Sequence, residues 1–145
     1  MSFLVGKDTR LIVQGITGRE GTFHTIQMQK YGTRVVAGVR AGKGGTVVEG
    51  VPVYDTVRQA MEGQDANASV VFVPPQGMYE AALEAIEARV PLVVTIAEGV
   101  PVHDMMGLYA MARAAGVTLV GPNSFGVISP GKSKVGFMAH SIFSE

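Results

Sequence analysis

Three glycines spaced G-x-x-G-x-x-G are the residues of this chain whose spacing most directly predicts chemistry. Gly15, Gly18 and Gly21 follow a short apolar run, so a strand, a tight turn and the start of a helix are expected there. Gly15 would make the turn, Gly18 would let the backbone approach a ligand, and Gly21 would let the helix lie close to the sheet. Because a helix N-terminus offers free N–H groups and partial positive charge, the segment predicts a phosphate site. A glycine-rich turn that only packs tightly is the alternative.

Two cationic residues, Arg40 and Lys43, follow the second strand that the pattern predicts. In NAD-binding domains an acidic residue lies here, about 20 residues after the glycines, and accepts a hydrogen bond from the ribose. Cations instead favour an additional phosphate on the adenosine ribose, for which NADP and coenzyme A are the candidates. A solvated surface charge is the alternative for Arg40. Gly44 stands where a Walker A loop has Ser or Thr, so ATP binding of that kind is not expected.

Two further loops follow predicted strands, at the edge where open α/β sheets bind ligands. The first, over residues 73–77, begins with Val73 and Pro74, and its prolines would form a rigid wall for a flat adenine or an alkyl arm. Ending the strand is the alternative role of the prolines. The second loop, over residues 96–101, contains Ile96, Ala97 and Glu98. The Glu98 carboxylate would accept hydrogen bonds from a ligand or cap a neighbouring helix.

The elements that must position these loops alternate between short β-rich runs and longer helical patterns. This alternation predicts an α/β fold of the doubly wound, Rossmann-like class, with a mostly parallel sheet and helices on both faces. The predicted strands are Arg10–Gln14, Arg34–Val39, Val51–Tyr54, 68–73, 92–96 and Thr118–Val120. The predicted helices are 22–30, 56–62 with Asp55 as N-cap, 78–87, and 103–115 with Gly116 as C-cap, and a last extended segment is expected over 135–142.

Composition limits the classes of protein that this chain can represent. At 145 residues and 47% hydrophobic content, it is expected to form one domain with an ordinary core. Basic and acidic residues both number 12, so charge gives no case for nucleic acid or a membrane surface as a partner. The absence of cysteine and of a long apolar run suits a cytoplasmic protein. Neither catalytic residues nor a metal site are predicted, and His24 is assigned a packing or capping role.

Six ordered blocks of the sequence together resemble the N-terminal domain of the succinyl-CoA synthetase (succinate–CoA ligase) α-subunit family. The closely similar malate–CoA ligase subunit fits as well. The blocks are VQGITGREGTFH at 13–24, YGTRVVAGVRAGKGG at 31–45, GVPVY at 50–54, VPP at 73–75, TIAEGVP at 95–101 and GPNSFGVISPG at 121–131. The resemblance therefore covers nearly the whole chain and is more specific than the glycine spacing alone.

The resemblance implies a Rossmann-like domain that binds coenzyme A rather than a nicotinamide, within an enzyme of the tricarboxylic acid cycle. It implies diphosphate and pantetheine contacts beside the glycine turn, an adenosine-side contact from the cationic loop, and walls from the other two loops. The resemblance and the loops described above together give these candidate cofactor-binding residues: Gly15, Thr17, Gly18, Arg19, Glu20, Gly21, Arg40, Lys43, Val73, Pro74, Ile96, Ala97, Glu98 and Asn123.

The chain departs from the family pattern at two places. The family usually has Thr-Pro where this chain has Arg40-Ala41, so one wall of the adenine pocket is expected to be looser and more charged. The family typically has Cys-Pro where this chain has Ser124-Phe125, near the edge where the organic acid reacts. Ser124 lacks the G-x-S-x-G context of a hydrolase nucleophile.

The resemblance also implies chemistry that residues 1–145 do not hold. In the family, a histidine in a second domain is phosphorylated, and that domain would follow Glu145. Residues 1–145 are therefore expected to form a CoA-binding domain of an ADP- or GDP-forming acid–CoA ligase, without turnover of its own. Its expected partners are a ligase β subunit and a chain that carries the missing domain. The alternatives are a stand-alone CoA or acyl-CoA binding or sensing module, an NADP-binding oxidoreductase domain, and a structural domain that has lost its ligand.

Overall fold

The computed structural model describes residues 8–96, 101–121, 127–129 and 133–135, which form alternating strands and helices. The strands are β1 (Arg10–Gln14), β2 (Arg34–Val39), β3 (Val47–Val48), β4 (Val51–Tyr54), β5 (Ala68–Val71), β6 (Leu92–Thr95), β7 (Thr118–Val120), β8 (Val127–Ser129) and β9 (Ser133–Val135). The helices are α1 (Arg19–Tyr31), α2 (Val57–Gly63), α3 (Pro75–Glu87) and α4 (Val102–Ala115). None of the helices within these described ranges is long and apolar enough to cross a membrane.

Seven of the strands form one sheet, in the order β3-β4-β2-β1-β5-β6-β7. Its neighbouring strands are parallel except for β3 and β4, and β8 and β9 form a separate antiparallel pair. The chain runs outward from β1 to β2 and then returns to place β5 on the other side of β1. Such a reversal opens a crevice between the carboxyl ends of β1 and β5, where doubly wound sheets bind ligands. The predicted α/β, Rossmann-like, mostly parallel fold is confirmed.

Side chains that alternate along the central strand β1 build a core on each face of the sheet. Leu11 and Val13 pack in one cluster with Met28 of α1. Ile12 belongs to the opposite cluster, which also contains residues of α2, α3 and α4. All four of these side chains are fully buried. Because the strand is covered on both faces, its sequence reads as a continuous apolar run, as central parallel strands usually do.

Gln14 is a buried polar residue that ties β1 to its neighbours. Its side-chain Oε1 accepts a hydrogen bond from the Ser69 hydroxyl on β5 at 2.6 Å. Its Nε2 donates to the Ala81 carbonyl on α3 at 2.7 Å. Gln14 is 2% exposed, so these two bonds offset the loss of hydration of its amide group. They hold the end of β1 beside β5, where the crevice opens.

Several element boundaries differ from the sequence prediction. Helix α1 begins at Arg19, three residues before the predicted start at 22, with Gly18 as its N-cap. Helix α3 begins at Pro75 rather than 78, because proline fits the first turn of a helix, where its missing N–H is not needed. Strand β3 was not predicted, and β5 and β6 end before their predicted last residues. Gly116 ends α4 in the left-handed region at φ 74°, as predicted. The extended segment predicted over 135–142 lies, beyond Val135, outside the described residues.

The prediction that Asp55 is the N-cap of α2 is wrong. Thr56 is the N-cap, and its Oγ1 accepts a hydrogen bond from the Gln59 N–H at 3.1 Å. A Glu84 carboxylate oxygen on α3 accepts from the Val57 N–H at 2.6 Å. The two side chains satisfy donors of the first turn of α2. Asp55 is thus left to bind a different segment of the chain.

Candidate functional site

The turn after β1 is held in place by two glycines that no larger residue could replace without a backbone shift. Gly15 has φ 84°, and a Cβ atom there would lie 2.3 Å from the Phe72 carbonyl oxygen. A Cβ atom on Gly21 would lie 2.1 Å from the Gly15 carbonyl oxygen. The Gly15 N–H donates to the Val39 carbonyl at 3.0 Å, so the turn is also tied to the end of β2. The tight turn and the close helix packing predicted for these glycines are both observed.

Gly18 differs from the other two glycines because the fold does not require it to lack a side chain. Its φ of −76° is ordinary, and a Cβ atom there would have the Gly15 carbonyl oxygen at 3.5 Å, a normal contact. Gly18 is the N-cap of α1 and offers no side-chain cap. Helix geometry gives the first-turn N–H groups of Arg19, Glu20 and Gly21 no partner inside the helix. These donors and the N-terminal end of the helix dipole favour an anion beside Gly18.

A cleft of about 400 Å³ lies beside this helix N-terminus, at the carboxyl ends of the central strands. Its volume is in the range of small-molecule sites in proteins. One wall is the first turn of α1, and the others are the apolar residues that follow β5 and β6. The cleft is lined by Gly18, Arg19, Glu20, Val71, Phe72, Val73, Pro74, Pro75 and Ile96.

The structure therefore brings together residues that the sequence analysis selected from three separate loops. Gly18, Arg19, Glu20, Val73, Pro74 and Ile96 all line the cleft. Gly15 and Gly21 shape the turn beneath it, and Thr17 lies half-buried in the same turn. Ala97, Glu98 and Asn123 lie outside the described residues.

Phe72 is a cleft residue that the sequence analysis missed. It lines the cleft together with Val71 and Pro75, and its backbone carbonyl packs against Gly15. Its ring stacks on His24 with centroids 5.3 Å apart and an angle of 14° between the planes. Its position between β5 and the Val-Pro-Pro sequence was the available signal, since residues after a central strand lie at the ligand-binding edge.

His24 has the packing role that the sequence analysis assigned to it. Besides stacking on Phe72, its ring meets the Phe23 ring edge to face at 4.9 Å. Its Nε2 lies 3.0 Å from an Oε2 of Glu20, one helical turn earlier. This contact joins the two side chains across one turn of α1. His103, by contrast, is exposed near the start of α4.

The cationic loop forms a second region at the same edge of the sheet, and its residues do not line the cleft. Arg40 and Lys43 are both exposed. The Arg40 N–H donates to the Tyr54 carbonyl at 2.9 Å, and the Lys43 N–H donates to the Arg40 carbonyl at 3.0 Å. The loop begins next to the glycine turn, because Val39 is the residue whose carbonyl binds Gly15. Cleft and loop are therefore neighbours at the ends of β1 and β2.

Asp55 binds the cationic loop from the end of β4. One of its carboxylate oxygens, Oδ1, accepts hydrogen bonds from the Gly42 N–H at 2.8 Å and from the Gly44 N–H at 3.0 Å. This role was not predicted from sequence, because Asp55 is 13 and 11 positions from Gly42 and Gly44 and no local pattern links them.

Comparisons with known proteins agree on one family and one fold. The sequence matches the family model described as CoA binding domain over residues 6–99. It is 52% identical over 143 residues to subunit alpha 2 of the ADP-forming succinate–CoA ligase of Archaeoglobus fulgidus. That alignment covers 99% of this chain and 50% of the relative. It is also 52% identical over 147 residues to the corresponding alpha subunit of Aquifex aeolicus, in an alignment that covers 100% of this chain and 48% of the relative. The chain thus spans about half the length of the curated relatives it matches.

The solved structures include ATP citrate lyase of Methanosaeta concilii in complex with (3S)-citryl-CoA. It superposes with a TM-score of 0.74 at 23% sequence identity, over 90% of this chain and 23% of the lyase chain. At this identity the similarity establishes the shared fold.

Proposed function

The chain belongs to the CoA-binding domain family, and on that premise we propose that coenzyme A lies along the carboxyl edge of the sheet, with its diphosphate in the cleft at the N-terminus of α1. The observation that carries the proposal is that the first turn of α1 and the apolar ends of β5 and β6 meet in one cleft of about 400 Å³. A helix N-terminus beside apolar walls suits a ligand that combines an anionic diphosphate with a largely apolar arm.

The diphosphate would be bound by backbone donors of the glycine turn. The N–H groups of the first turn of α1 point out of the helix, and Gly18 leaves their approach open. The Thr17 hydroxyl and the exposed Arg19 side chain lie in the same turn. Among the described residues that line the cleft, Glu20 is the one anionic residue, and its carboxylate is in contact with Nε2 of His24 at 3.0 Å.

The remaining parts of coenzyme A would follow the edge of the sheet in both directions. Val73, Pro74 and Ile96 offer apolar surface for the pantetheine arm or the adenine ring. Lys43, with Arg40, would face the phosphate on the adenosine ribose. The glycine turn and the cationic loop start side by side at the ends of β1 and β2, which suits a ligand whose diphosphate adjoins its adenosine.

We further propose that the domain works within an acid–CoA ligase similar to succinate–CoA ligase. In that reaction the coenzyme A thiol attacks the carbonyl carbon of an acyl phosphate, the thioester bond forms, and inorganic phosphate leaves. This domain would hold the thiol in place. The histidine that carries the phosphoryl group would come from the other half of the α subunit, and the nucleotide site would come from a β subunit. The assembled enzyme would work in the cytoplasm, and residues 1–145 alone would show no ligase turnover.

Titration calorimetry with coenzyme A, dephospho-CoA and NADP tests the proposed ligand. We expect coenzyme A to bind most tightly. Lys43→Ala should weaken its binding by about tenfold while changing dephospho-CoA binding little, because the lost ion pair involves the phosphate that dephospho-CoA lacks. Lys30→Ala, which removes an exposed lysine from the last turn of α1, is the matched control and should leave both affinities unchanged. Tighter binding of NADP, or no binding of coenzyme A, would overturn the proposal.

A further inference from the structure

A single carboxylate oxygen holds the backbone on both sides of Lys43. Asp55 Oδ1 accepts from the N–H of Gly42, immediately before Lys43, at 2.8 Å and from the N–H of Gly44, immediately after it, at 3.0 Å. Hydrogen bonds to a charged acceptor are about twice as strong as those between neutral groups. The carboxylate thus spans the residue that carries the positive charge of this loop.

The backbone of Lys43 itself is bound from within the loop. Its N–H donates to the Arg40 carbonyl at 3.0 Å, and its carbonyl accepts from the Thr46 N–H at 3.1 Å and from the Thr46 hydroxyl at 2.7 Å. With the bonds to Asp55, successive peptide groups from 42 to 44 are all fixed. The Lys43 backbone is therefore in one defined turn although the residue is exposed.

Glycine makes this turn possible and also makes it costly to order. Gly42 and Gly45 have φ of 83° and 91°, which side chains disfavour, and a Cβ atom on Gly44 would lie 2.7 Å from Asp55 Oδ2. Glycine loses more conformational entropy on ordering than other residues. Without the carboxylate, a ligand that needs Lys43 in one place would have to order the glycines on binding, which would weaken its affinity.

We propose that Asp55 is a positioning residue for recognition of the phosphate on the adenosine ribose. It acts by holding the loop that carries Lys43, and the inference rests on the proposed function. The negative charge of Asp55 repels a nearby phosphate, so its contribution is to geometry rather than to the local potential. An asparagine would keep the Oδ1 acceptor and remove the charge, whereas an alanine would remove both.

The test compares coenzyme A with dephospho-CoA in calorimetric titrations of three chains. In Asp55→Ala we expect about tenfold weaker binding of coenzyme A and little change for dephospho-CoA, since only the former uses Lys43. Asp55→Asn should bind coenzyme A at least as tightly as the wild type. Glu62→Ala, which removes an exposed carboxylate from α2, is the control and should match the wild type. Equal losses for both ligands in Asp55→Ala, or no loss, would overturn the inference.

Amide exchange in the wild-type chain tests the inference even if Asp55→Ala folds poorly, and a double variant tests it further if Asp55→Ala folds well. In the free wild-type chain, the amide hydrogens of Gly42 and Gly44 should exchange with solvent more slowly than those of loop residues without a hydrogen bond. Unprotected exchange at both glycines would contradict the hydrogen bonds to Asp55 on which the inference depends. The Asp55→Ala/Lys43→Ala double variant should bind coenzyme A no more weakly than Lys43→Ala, because both changes remove the same contact; fully additive losses would contradict it. If the wild type prefers coenzyme A over dephospho-CoA but Asp55→Ala keeps that preference, this inference fails while the proposed function stands.

Discussion

At the scale of single residues, the three glycines of the first loop have different physical roles. Gly15 and Gly21 are required by the fold, because a Cβ atom on either would overlap backbone atoms within 2.3 Å. Gly18 has an ordinary φ and only a 3.5 Å contact. Its lack of a side chain therefore leaves space on the cleft side of the turn, where we propose that the diphosphate lies.

Alanine substitutions should separate these roles. Gly18→Ala should change the free energy of unfolding by less than about 0.5 kcal/mol, since its backbone conformation suits alanine. The same change should weaken coenzyme A binding by about tenfold or more, because the methyl group would occupy the approach to the first turn of α1. Gly21→Ala should instead lower the free energy of unfolding by about 2 kcal/mol or more, because its Cβ would press on the Gly15 carbonyl.

Urea denaturation and calorimetry of both variants provide the measurement. Each variant should affect one property much more than the other. A Gly18→Ala chain that binds coenzyme A like the wild type would contradict the placement of the diphosphate at this helix terminus. A fully stable Gly21→Ala chain would contradict the close packing of α1 on the turn.

At the scale of elements, the start of α2 depends on a contact from another helix. Thr56 caps the helix locally, and the Glu84 carboxylate of α3 accepts from the Val57 N–H at 2.6 Å. Since α2 has only 7 residues, propensity alone would not keep it folded, and contacts with neighbouring elements must stabilise it. Glu84 therefore joins α2 to α3 on one face of the sheet.

Removal of this contact should destabilise the domain without changing ligand binding. We expect Glu84→Ala to lower the free energy of unfolding by about 1 kcal/mol, because it leaves the Val57 N–H without its acceptor. Glu84→Gln keeps an oxygen acceptor and should lose less than half as much. Glu80→Ala, an exposed position on the same helix, is the control. Equal stability of Glu84→Ala and the control, measured by urea denaturation, would show that the contact contributes nothing.

The elements also show which parts of the structure could be predicted from sequence. The strands Arg10–Gln14, Arg34–Val39, Val51–Tyr54 and Thr118–Val120 were predicted with their observed boundaries, because buried parallel strands give compact apolar runs. The helix starts at Arg19 and Pro75 were predicted too late. Glycine and proline lower helix propensity in helix interiors, but proline is favoured in the first turn, where its missing N–H is not needed, and Gly18 is the N-cap of α1. The two-residue strand β3 is too short to produce a pattern.

The candidate site was predictable to the extent that it follows strand ends. Gly18, Val73 and Ile96 could be selected because each follows a strand whose end lies at the ligand-binding edge. Phe72 was missed although it also follows β5. The role of Asp55 could not be derived, because it depends on contacts between segments far apart in the sequence. Asp55 was assigned to the wrong partner for this reason: its position before α2 matches an N-cap, while its hydrogen bonds run back to the loop after β2.

At the scale of the whole molecule, the reversal of strand order at β1 brings the proposed ligand contacts together. The glycine turn follows β1, the cationic loop follows β2, and the apolar cleft walls follow β5 and β6. All of these segments leave the sheet at the same edge, since the four strands are parallel. The central claim is that one extended ligand, coenzyme A, contacts the cleft and the cationic loop at the same time.

Amide chemical shifts of the isotopically labelled chain, recorded while coenzyme A is added, test this claim most directly. We predict that the largest changes fall in two groups, the N–H groups of residues 18–20 in the cleft and those of residues 42–44 in the cationic loop. With dephospho-CoA the first group should shift as before, and the second should shift much less. Changes confined to other parts of the chain, or in only one of the two groups with coenzyme A, would contradict the account.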